Sequence, residues 1–389
     1  MEVLIVVLQF PLALMVLYLD VLSVAAVTKR HGPESVPPRH RFALLVPAHN
    51  EERQLPRLLA SLAALDYPRA LYDVHVVADN CTDRTALTAS TAGALVHERH
   101  DTRLRGKGYA LKWLLEQLRN AHSQYDAYVV VDADSVVSAN LLAVMNSYVA
   151  RGDQVVQCYD GVLNRQESWV SAISYVALAL FNNLRPLGRD ALGLSVGLRG
   201  NGMCFTSGII ERFGWEVFGL VEDHAYHVQL VSAGVRVRYA AEASVLAEQP
   251  TSLAQAYSQS IRWERGRFEL MSWRFLVQGI RRHDPAQLDA LAEQIVPPFS
   301  VLTGAIVVMF LLTAALHMPG PFLVASLLVL GEIAYVWIGL RLVHAGRSVY
   351  FGLLAAPVYV AWKVWTVAMA AARPNDNLWV RTARPEEEA

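Results

Sequence analysis

The sequence carries almost no excess of either charge and has few cysteines. Its formal net charge is −1, and it contains no block of five or more basic residues, so the electrostatic footprint of a nucleic-acid-binding protein is missing. The three cysteines, Cys81, Cys158 and Cys204, are widely separated and lack the spacing of a metal knuckle. We therefore expect no nucleic acid as a partner, and reduced thiols that pack as small hydrophobic side chains.

Hydrophobic residues are abundant instead, and they are concentrated near the two ends. They make up 54% of the sequence, against about 45–50% in ordinary soluble domains. Long apolar runs cover residues 3–19, 299–316, 322–340 and 349–372, whereas residues 28–290 have the composition of a soluble protein. Because about 20 apolar residues cross a bilayer, these runs predict membrane spans.

The first apolar run has the features of an uncleaved membrane anchor. It lacks the basic n-region and the small-residue cleavage site of a signal peptide, and Lys29 and Arg30 follow it. Positive residues that flank a span favour the cytoplasmic side. We therefore expect an integral protein of a bacterial inner (plasma) membrane, with the domain after the anchor in the cytoplasm.

The C-terminal apolar runs predict two or three spans. Residues 299–316 contain no charge, and the Pro-Gly-Pro sequence at 319–321 would form a hairpin turn before the second span. That span contains Glu332, whose carboxylate is costly in lipid, so we expect it to face protein. The last run is interrupted by Pro357 and Lys363. Two spans with a re-entrant or interfacial segment and three full spans both stay open, and so does the side of the C-terminus.

Short apolar runs alternate with helical patterns between the membrane segments. The runs at 42–47, 74–79 and 127–131 are each followed by polar residues. Buried strands that alternate with helices predict an α/β fold, with a parallel sheet between two layers of helices. Helices should start at Glu51 and near Asp83. Ligands of such sheets bind beyond the carboxyl ends of the strands, so one edge should collect His49, Asn50, Glu51, Asp79, Asn80, Asp132 and Asp134.

The Asp132-Ala133-Asp134 triplet predicts a metal site. Alternate side chains leave a strand on the same side, so the two carboxylates could offer hard oxygen ligands to Mg²⁺ or Mn²⁺. An isolated Asp-x-Asp is more often a cap or a turn. Its position after a buried strand, among other strands that end in acids, favours an ion that neutralises a diphosphate.

Seven motifs occur in the order that is found in one family. They are Val46–Glu52, Val77–Asp83, Gly106–Gly108, Asp132–Asp134, Gly200–Met203, Glu222-Asp223 and Gln259–Trp263. Over residues 41–270 the chain resembles the family 2 glycosyltransferases, in the membrane-integrated branch of cellulose, chitin and hyaluronan synthases and ceramide glucosyltransferases. The resemblance implies a nucleotide-sugar-binding, Rossmann-like glycosyltransferase A fold with interfacial helices and N- and C-terminal transmembrane helices.

Five regions follow from the resemblance and the apolar runs together. They are an N-terminal transmembrane anchor (1–27), a cytosolic glycosyltransferase domain (41–250), interfacial amphipathic helices (251–290), a C-terminal transmembrane region (295–372) and a tail (373–389). Within the interfacial region, we expect four residues to anchor the chain at the membrane surface: Trp273, Arg274, Arg281 and Arg282.

The resemblance implies a set of donor-binding residues. Ala48, Asn50 and Glu51 would lie near the ribose or base, and Asp79 at the uracil edge. Residues implied at the diphosphate are Lys107, Asp132, Gln259 and Arg262. The alternatives are that Asn50 and Glu51 cap a helix, that Asp79 belongs to a turn, and that Lys107 is solvated surface.

The acid pair Glu222-Asp223 is the implied catalytic centre, together with Arg262. In the family, the acid that matches Asp223 is the general base that deprotonates the acceptor hydroxyl, and a single displacement inverts the anomeric carbon. The family usually has Thr where this chain has Val221, which puts the surroundings of the base in doubt. As an alternative, acids at this position also suit the N-terminus of a helix.

Gln259, Arg262 and Trp263 have the spacing of one helix face. Arg262 would stabilise the departing diphosphate, and Trp263 would offer a flat surface to a sugar ring. Trp and Arg are also typical of a helix at the membrane surface, and the two interpretations are compatible. The implied acceptor or sugar pocket consists of Gly200, Asn201, Gly202 and Trp263.

These inferences predict an inverting, UDP-sugar-dependent hexosyltransferase that acts on a lipid or short glycan at the cytoplasmic face of the membrane. One alternative is a processive polysaccharide synthase that extrudes its polymer. Three or four spans make a small conduit, so a channel would need an oligomer or an export or assembly partner protein. A second alternative, from another class, is an inactive nucleotide-sugar sensor or scaffold.

Overall fold

A mixed β-sheet forms the centre of the domain between the apolar ends. The computed structural model describes residues 2–29, 32–219, 221–269 and 284–372. Within them lie eight strands: β1 (Phe42–Ala48), β2 (Tyr72–Asp79), β3 (Leu95–Arg99), β4 (Ala127–Val130), β5 (Ser135–Val137), β6 (Val155–Val162), β7 (Met203–Thr206) and β8 (Val237–Ala247). Their order across the sheet is β3-β2-β1-β4-β7-β6-β8-β5.

Helices cover both faces of the sheet, as the sequence predicted. The helices described between the apolar ends are α2 (Leu55–Ala63), α3 (Thr85–Thr91), α4 (Lys107–Asn120), α5 (Leu141–Ala150), α6 (Trp169–Ala179), α7 (Arg185–Ala191), α8 (Ser207–Phe213), α9 (Glu222–Ser232) and α10 (Leu253–Glu269). Successive side chains of a strand point to opposite faces. In β1, Phe42 and Leu44 pack with α2 and α5, whereas Ala43 and Leu45 pack with α4, α8 and α9.

The parallel sheet predicted from the sequence is correct for six of the eight described strands, and β5 and β7 run in the opposite direction. β6 pairs in parallel with β8. β1 pairs in parallel with β2 and β4, and β2 with β3. β7, however, is antiparallel to β4 and β6, and β5 is antiparallel to β8. The reason is that α6 and α7, which separate β6 from β7, pack largely against the apolar helices instead of forming a crossover over the sheet.

The three predicted strands are present, and each ends within one residue of the predicted position. The two predicted helices begin later than expected, at Leu55 instead of Glu51 and at Thr85 instead of Asp83. The residues between each strand and its helix form loops that hydrogen-bond to each other through their side chains.

The apolar ends form helices that are long enough to cross a membrane. α1 (Glu2–Thr28), α13 (Pro319–Leu342) and the segment Arg347–Ala372 qualify by length and composition. A fourth span results if α11 (Pro285–Ile295) and α12 (Phe299–Ala315), which are bent by 66° at their junction, count as one. Within Arg347–Ala372, α14 (Arg347–Gly352) and α15 (Ala356–Ala372) are separated by a single 3₁₀ turn.

Two expectations about these helices have different outcomes. Glu332 faces protein as predicted, since it is 7% exposed and accepts a 3.1 Å hydrogen bond from Thr303 Oγ1. The predicted hairpin turn between α12 and α13 is present, but it lies at 316–318, before the Pro-Gly-Pro sequence. Pro319 is the first residue of α13, where a missing N–H costs nothing because first-turn amides have no partner within the helix. The surface anchors predicted at Trp273, Arg274, Arg281 and Arg282, and the tail at 373–389, lie outside the described residues.

The N-terminal helix is fixed directly to the domain that contains the sheet. Lys29 forms a 3.3 Å ion pair with Asp190 and donates a 3.1 Å hydrogen bond to the Tyr239 carbonyl. Gly188 of α7 lies so close to α1 that a Cβ there would collide with the Leu22 backbone. The predicted anchor is therefore part of one packed unit with the sheet.

Candidate active site

The loops that follow β1 and β2 are joined side by side. Asn50 adopts a positive φ of 55°, and its Oδ1 accepts from the Thr82 backbone N–H at 2.8 Å. The Glu51 backbone N–H donates to Thr85 Oγ1, also at 2.8 Å. Asn50 and Glu51 thus help to hold the two loops together. The N-cap of α2 is Gln54, so neither residue is the helix cap of the alternative interpretation.

Asp79 lies at the same edge of the sheet as these loops and is held by a residue that the sequence did not indicate. Arg99 Nη1 donates to Asp79 Oδ1 at 2.6 Å, and Asn80 Nδ2 donates to the same oxygen at 3.0 Å. Asp79 and Arg99 are 6% and 5% exposed, and they are register partners on β2 and β3. Ala48, the last residue of β1, is also buried, so only its backbone could contact a nucleoside.

Asp132 and Lys107 form the centre of the site. Lys107, the first residue of α4, donates to the Asp132 carboxylate and, at 2.7 Å, to the Gly200 carbonyl. The Asp132 backbone N–H is held by Asn201 Oδ1 at 3.1 Å. Burial would lower the pKa of Lys107, but the carboxylates of Asp132 and Glu222 outweigh it and raise the pKa above its usual value. Lys107 is therefore a permanent cation, not solvated surface.

Two carboxylates of the predicted triplet could ligate a divalent ion. Asp132 and Asp134 follow β4 in the predicted triplet. Among the described residues, no group of three or more His, Cys, Asp or Glu side chains is arranged to hold a metal. Mg²⁺-type sites commonly use one or two carboxylates and complete the shell with substrate phosphates and water. The residues fit an ion that binds together with a diphosphate.

Asn201 connects the Asp132 loop to two further residues of the domain. Its Nδ2 donates to Ser135 Oγ at 2.9 Å and to Asp160 Oδ1 at 3.3 Å. Burial and the nearby Asp132 carboxylate raise the pKa of Asp160 to about 8. The sequence did not indicate Asp160, because an acid within a buried strand such as β6 carries no recognisable motif. Asn201 itself was predicted in a sugar pocket, but its side chain binds the protein.

The acid pair lies at the N-terminus of α9, on the other side of Lys107. Burial and the neighbouring Asp223 raise the pKa of Glu222 to about 7, against the opposing effect of Lys107. Gly200, with a φ of 81°, lies against Asp223, since a Cβ there would be 3.4 Å from Asp223 Oδ2. Gly202 is needed for packing instead, because a Cβ would collide with Cys158 Sγ.

The predicted helix with Gln259, Arg262 and Trp263 is present as part of α10. Gln259 and Arg262 are half-buried, and Trp263 is 41% exposed. Burial lowers the pKa of Arg262, and the carboxylates of Glu222 and Asp132 act in the opposite direction. Arg262 thus lies within electrostatic reach of both acids. A Cβ on Gly266 would be 2.5 Å from Val221 Cγ1, so the valine that replaces the family's threonine packs against this helix.

The structure therefore gathers most of the predicted residues around one centre. Direct contacts link four of them: Lys107, Asp132, Gly200 and Asp223. Glu222 and Arg262 lie within electrostatic reach of this group. Two cations lie among several carboxylates, which suits a site that receives a diphosphate with its counter-ion and removes a proton nearby. Asn50, Glu51 and Asp79 form a separate group beyond β1 and β2, where a nucleoside attached to that diphosphate would extend.

Comparison with known proteins identifies similar chains. The family described as Glycosyltransferase like family 2 matches residues 38–266. Probable glycosyltransferase YdaM of Bacillus subtilis is 25% identical over 250 residues, which are 61% of this chain and 57% of that protein. Beta-monoglucosyldiacylglycerol synthase of Synechocystis is 27% identical over 254 residues, 63% of this chain and 52% of that one. The chain thus spans about half the length of these relatives.

Two further similarities extend over nearly the whole chain. Beta-monoglucosyldiacylglycerol synthase of Trichormus variabilis is 25% identical over 397 aligned positions, covering 94% of this chain and 81% of that protein. A mannosyltransferase of Pyrobaculum calidifontis, solved with GDP-Man and Mn²⁺, superimposes with a TM-score of 0.55 at 18% identity, over 96% of this chain and 98% of that one. The glycosyltransferase A fold expected from the motifs is confirmed.

Proposed function

The chain belongs to the Glycosyltransferase like family 2, and we propose that it transfers a sugar, with inversion, from a UDP-sugar to a lipid or short glycan at the cytoplasmic face of a membrane. The observation that carries this proposal is the position of Lys107. It binds Asp132 and the Gly200 carbonyl at once, and Gly200 lies against Asp223. A diphosphate bound at Lys107 would thus lie beside a candidate base.

The donor would occupy the edge of the sheet from Asp79 to Asp132. We assign Ala48, Asn50, Glu51 and Asp79 to the nucleoside, and a further group to the diphosphate: Lys107, Asp132, Gln259 and Arg262. The buried Arg99 orients the Asp79 carboxylate through their 2.6 Å ion pair. An ionised carboxylate is an acceptor only, which suits the N3–H of uracil.

Asp132 and Asp134 would hold a divalent ion together with the diphosphate. When bound, the ion would neutralise the phosphate oxygens and stabilise charge on the leaving group. Mn²⁺ is present with the nucleotide sugar in the mannosyltransferase of similar fold, which supports a divalent ion without deciding between Mg²⁺ and Mn²⁺. Lys107 would keep its contact with Gly200 while it exchanges Asp132 for phosphate.

Asp223 would take the proton from the acceptor hydroxyl as that hydroxyl attacks the anomeric carbon. The bond to the diphosphate breaks on the opposite face, so the configuration inverts. Lys107 and Arg262 would offset the charge that develops on the departing diphosphate. Glu222, with its pKa near 7, carries a proton for much of the time at neutral pH, which reduces repulsion beside Asp223. Trp263 and Gly200 would border the acceptor.

A lipid acceptor is our preferred choice. Several similar proteins are named beta-monoglucosyldiacylglycerol synthases, and the contacts of Lys29 attach the catalytic domain to an apolar helix. We propose the five regions defined from the sequence as the working division of the chain. The processive synthase and the inactive sensor remain as alternatives, and an export or assembly partner belongs to the first of them only.

The decisive experiment is a panel of donors tested on the purified full-length protein in lipid nanodiscs. UDP-glucose, UDP-galactose, their N-acetyl forms and GDP-mannose would each be incubated with diacylglycerol and Mn²⁺, Mg²⁺ or EDTA. We expect metal-dependent UDP release and a lipid that carries one sugar. A ladder of products would favour the processive synthase. Donor binding without turnover under every acceptor condition would reject the transferase proposal in favour of the sensor.

A further inference from the structure

Helix α11, which directly precedes the apolar helix α12, presents two buried acids to the catalytic domain. Asp289 and Glu293 are one helical turn apart, and they are 7% and 4% exposed. Both form ion pairs with Arg189 of α7, at 2.9 and 2.8 Å, and Arg189 is fully buried. Because charges so far from water are retained only when they are paired, Arg189 fixes α11 to the domain.

The two acids differ in their second partner. Asp289 accepts a 2.8 Å hydrogen bond from Tyr18 of α1, whereas Glu293 forms a second ion pair, at 2.8 Å, with Arg199. Arg199 is held further by Phe181, since its guanidinium lies 4.0 Å from the centre of that ring and donates to the Phe181 carbonyl at 3.3 Å. Glu293 therefore reaches a residue that Asp289 does not.

Arg199 directly precedes Gly200, the residue whose carbonyl binds Lys107. The Gln157 side chain holds the backbone on both sides of this glycine, because its Oε1 accepts from the Arg199 N–H at 2.9 Å and its Nε2 donates to the Asn201 carbonyl at 2.7 Å. Gln157 fixes the loop from the sheet, and Arg199 fixes it from α11. A displacement of the Arg199 side chain would be passed to the Gly200 backbone.

We propose that Glu293 and Arg199 are positioning residues. Their ion pair connects α11 to the Gly200 loop and so fixes the positions of Lys107 and Asp223 for sugar transfer. The inference rests on the proposed function. Reacting groups tolerate little displacement, since a misplacement of about 1 Å can cost on the order of 10²-fold in rate. The nucleoside contacts around Asp79 belong to other loops, so loss of the ion pair should affect turnover much more than donor binding.

The matched variants Glu293→Gln and Asp289→Asn test the proposal. Each removes one of the two acids that pair with Arg189, but only Glu293→Gln releases Arg199. With the full-length protein in nanodiscs, we expect Glu293→Gln to lower kcat by about 10- to 100-fold while the KM for the UDP-sugar changes less than about threefold. Asp289→Asn should keep kcat within about threefold of the unmodified protein. Equal losses of kcat in the two variants would overturn the proposal.

Substitutions of Arg199 test the same proposal in a second way. Arg199→Met should lower kcat as Glu293→Gln does, and the double variant should be no slower than either single one, because both break the same contact. Arg199→Lys keeps the charge and should restore part of the turnover. Additive losses in the double variant would contradict the proposal. A lysine variant as slow as the methionine one would contradict it too, and that comparison remains possible even if Glu293→Gln fails to fold. An unmodified protein that turns over no UDP-sugar would instead reject the proposed function.

Discussion

Lys363, within the last apolar helix, forms a 3.0 Å ion pair with Glu264, two residues beyond Arg262 on α10. The two side chains are 11% and 8% exposed, and Lys363 Nζ also donates to Ser260 Oγ at 2.6 Å. Lys363 interrupts an apolar run in the sequence, but α15 is continuous through it. Its charge holds the helix that carries Arg262.

Lys363→Met should therefore destabilise the protein, because it leaves the buried Glu264 carboxylate without this counter-ion. Breaking a buried ion pair from one side typically costs about 3–5 kcal/mol, whereas replacing both partners by apolar residues is often neutral. The double variant Lys363→Met/Glu264→Met should thus recover most of the lost stability. Thermal unfolding in detergent would measure both. A double variant as unstable as the single one would show that the pair contributes in another way.

Asp223→Asn should abolish transfer while donor binding is retained. A positioned base contributes on the order of 10²- to 10⁴-fold in rate, and the amide keeps the shape of the side chain without accepting the proton. Metal-dependent UDP-sugar binding, measured by calorimetry, should stay within about twofold of the unmodified protein. Glu211→Gln, at an exposed acid of α8, is the control for loss of one negative charge. Turnover near the unmodified level would remove Asp223 from its role.

The matched variants Gly200→Ala and Gly93→Ala distinguish the effect of backbone strain on stability from an effect on catalysis. Both glycines have a φ near +80°, at 81° each, but a Cβ at Gly200 would be 3.4 Å from Asp223 Oδ2, whereas nothing lies within 4 Å at Gly93. Each alanine should cost about 1–2 kcal/mol of stability because of the left-handed backbone. Only Gly200→Ala should also reduce kcat, by about tenfold or more. Equal kcat values for the two variants would contradict the assigned position of Gly200.

Acidic pH should destabilise the fold through His75. This buried histidine is hydrogen-bonded to His97 at 3.1 Å and to Tyr125 at 2.9 Å, and burial and the His97 ring lower its pKa from 6.5 to about 4. Between these values the unfolded chain binds the proton and the folded chain does not, so stability is complete above about pH 6.5 and falls as the pH falls towards 4.

The expected loss from this one group is on the order of 3 kcal/mol. Chemical denaturation in detergent at a series of pH values would measure it, and His75→Asn should flatten the acid side of the profile. Burial also lowers the pKa of His227, to about 3. This histidine adds a similar dependence of stability on pH, which remains in the His75→Asn variant. An unchanged profile in the His75 variant would assign the acid sensitivity to other groups.

The parts of the site that lie next to strand ends were predictable from the sequence. An apolar run that stops at Asp79 or Asp132 places these acids at one edge, because parallel strands share the direction of their ends. The motif order then added Lys107, the acid pair at the start of α9 and Arg262 on α10. Local patterns carried this information, since each motif lies within a few residues.

The contacts that hold these residues were not predictable, because they join positions far apart in the chain. Arg99 meets Asp79 only after β3 pairs with β2, and Asp160 meets Asn201 only after β6 is in place. β7 has four residues and so offered no alternation from which its direction could be inferred. The first turn of α13 was misassigned because proline favours turns and helix starts equally well.

The close approach of Gly188 to Leu22 has a consequence for how the protein meets its acceptor. No side chain fits between the two backbones, so α7 packs directly on the apolar helix. With α1 in a membrane, as we propose, the reaction centre would keep a constant height above the lipid headgroups. A substrate would be chosen by how far its hydroxyl rises from the bilayer as well as by its chemistry.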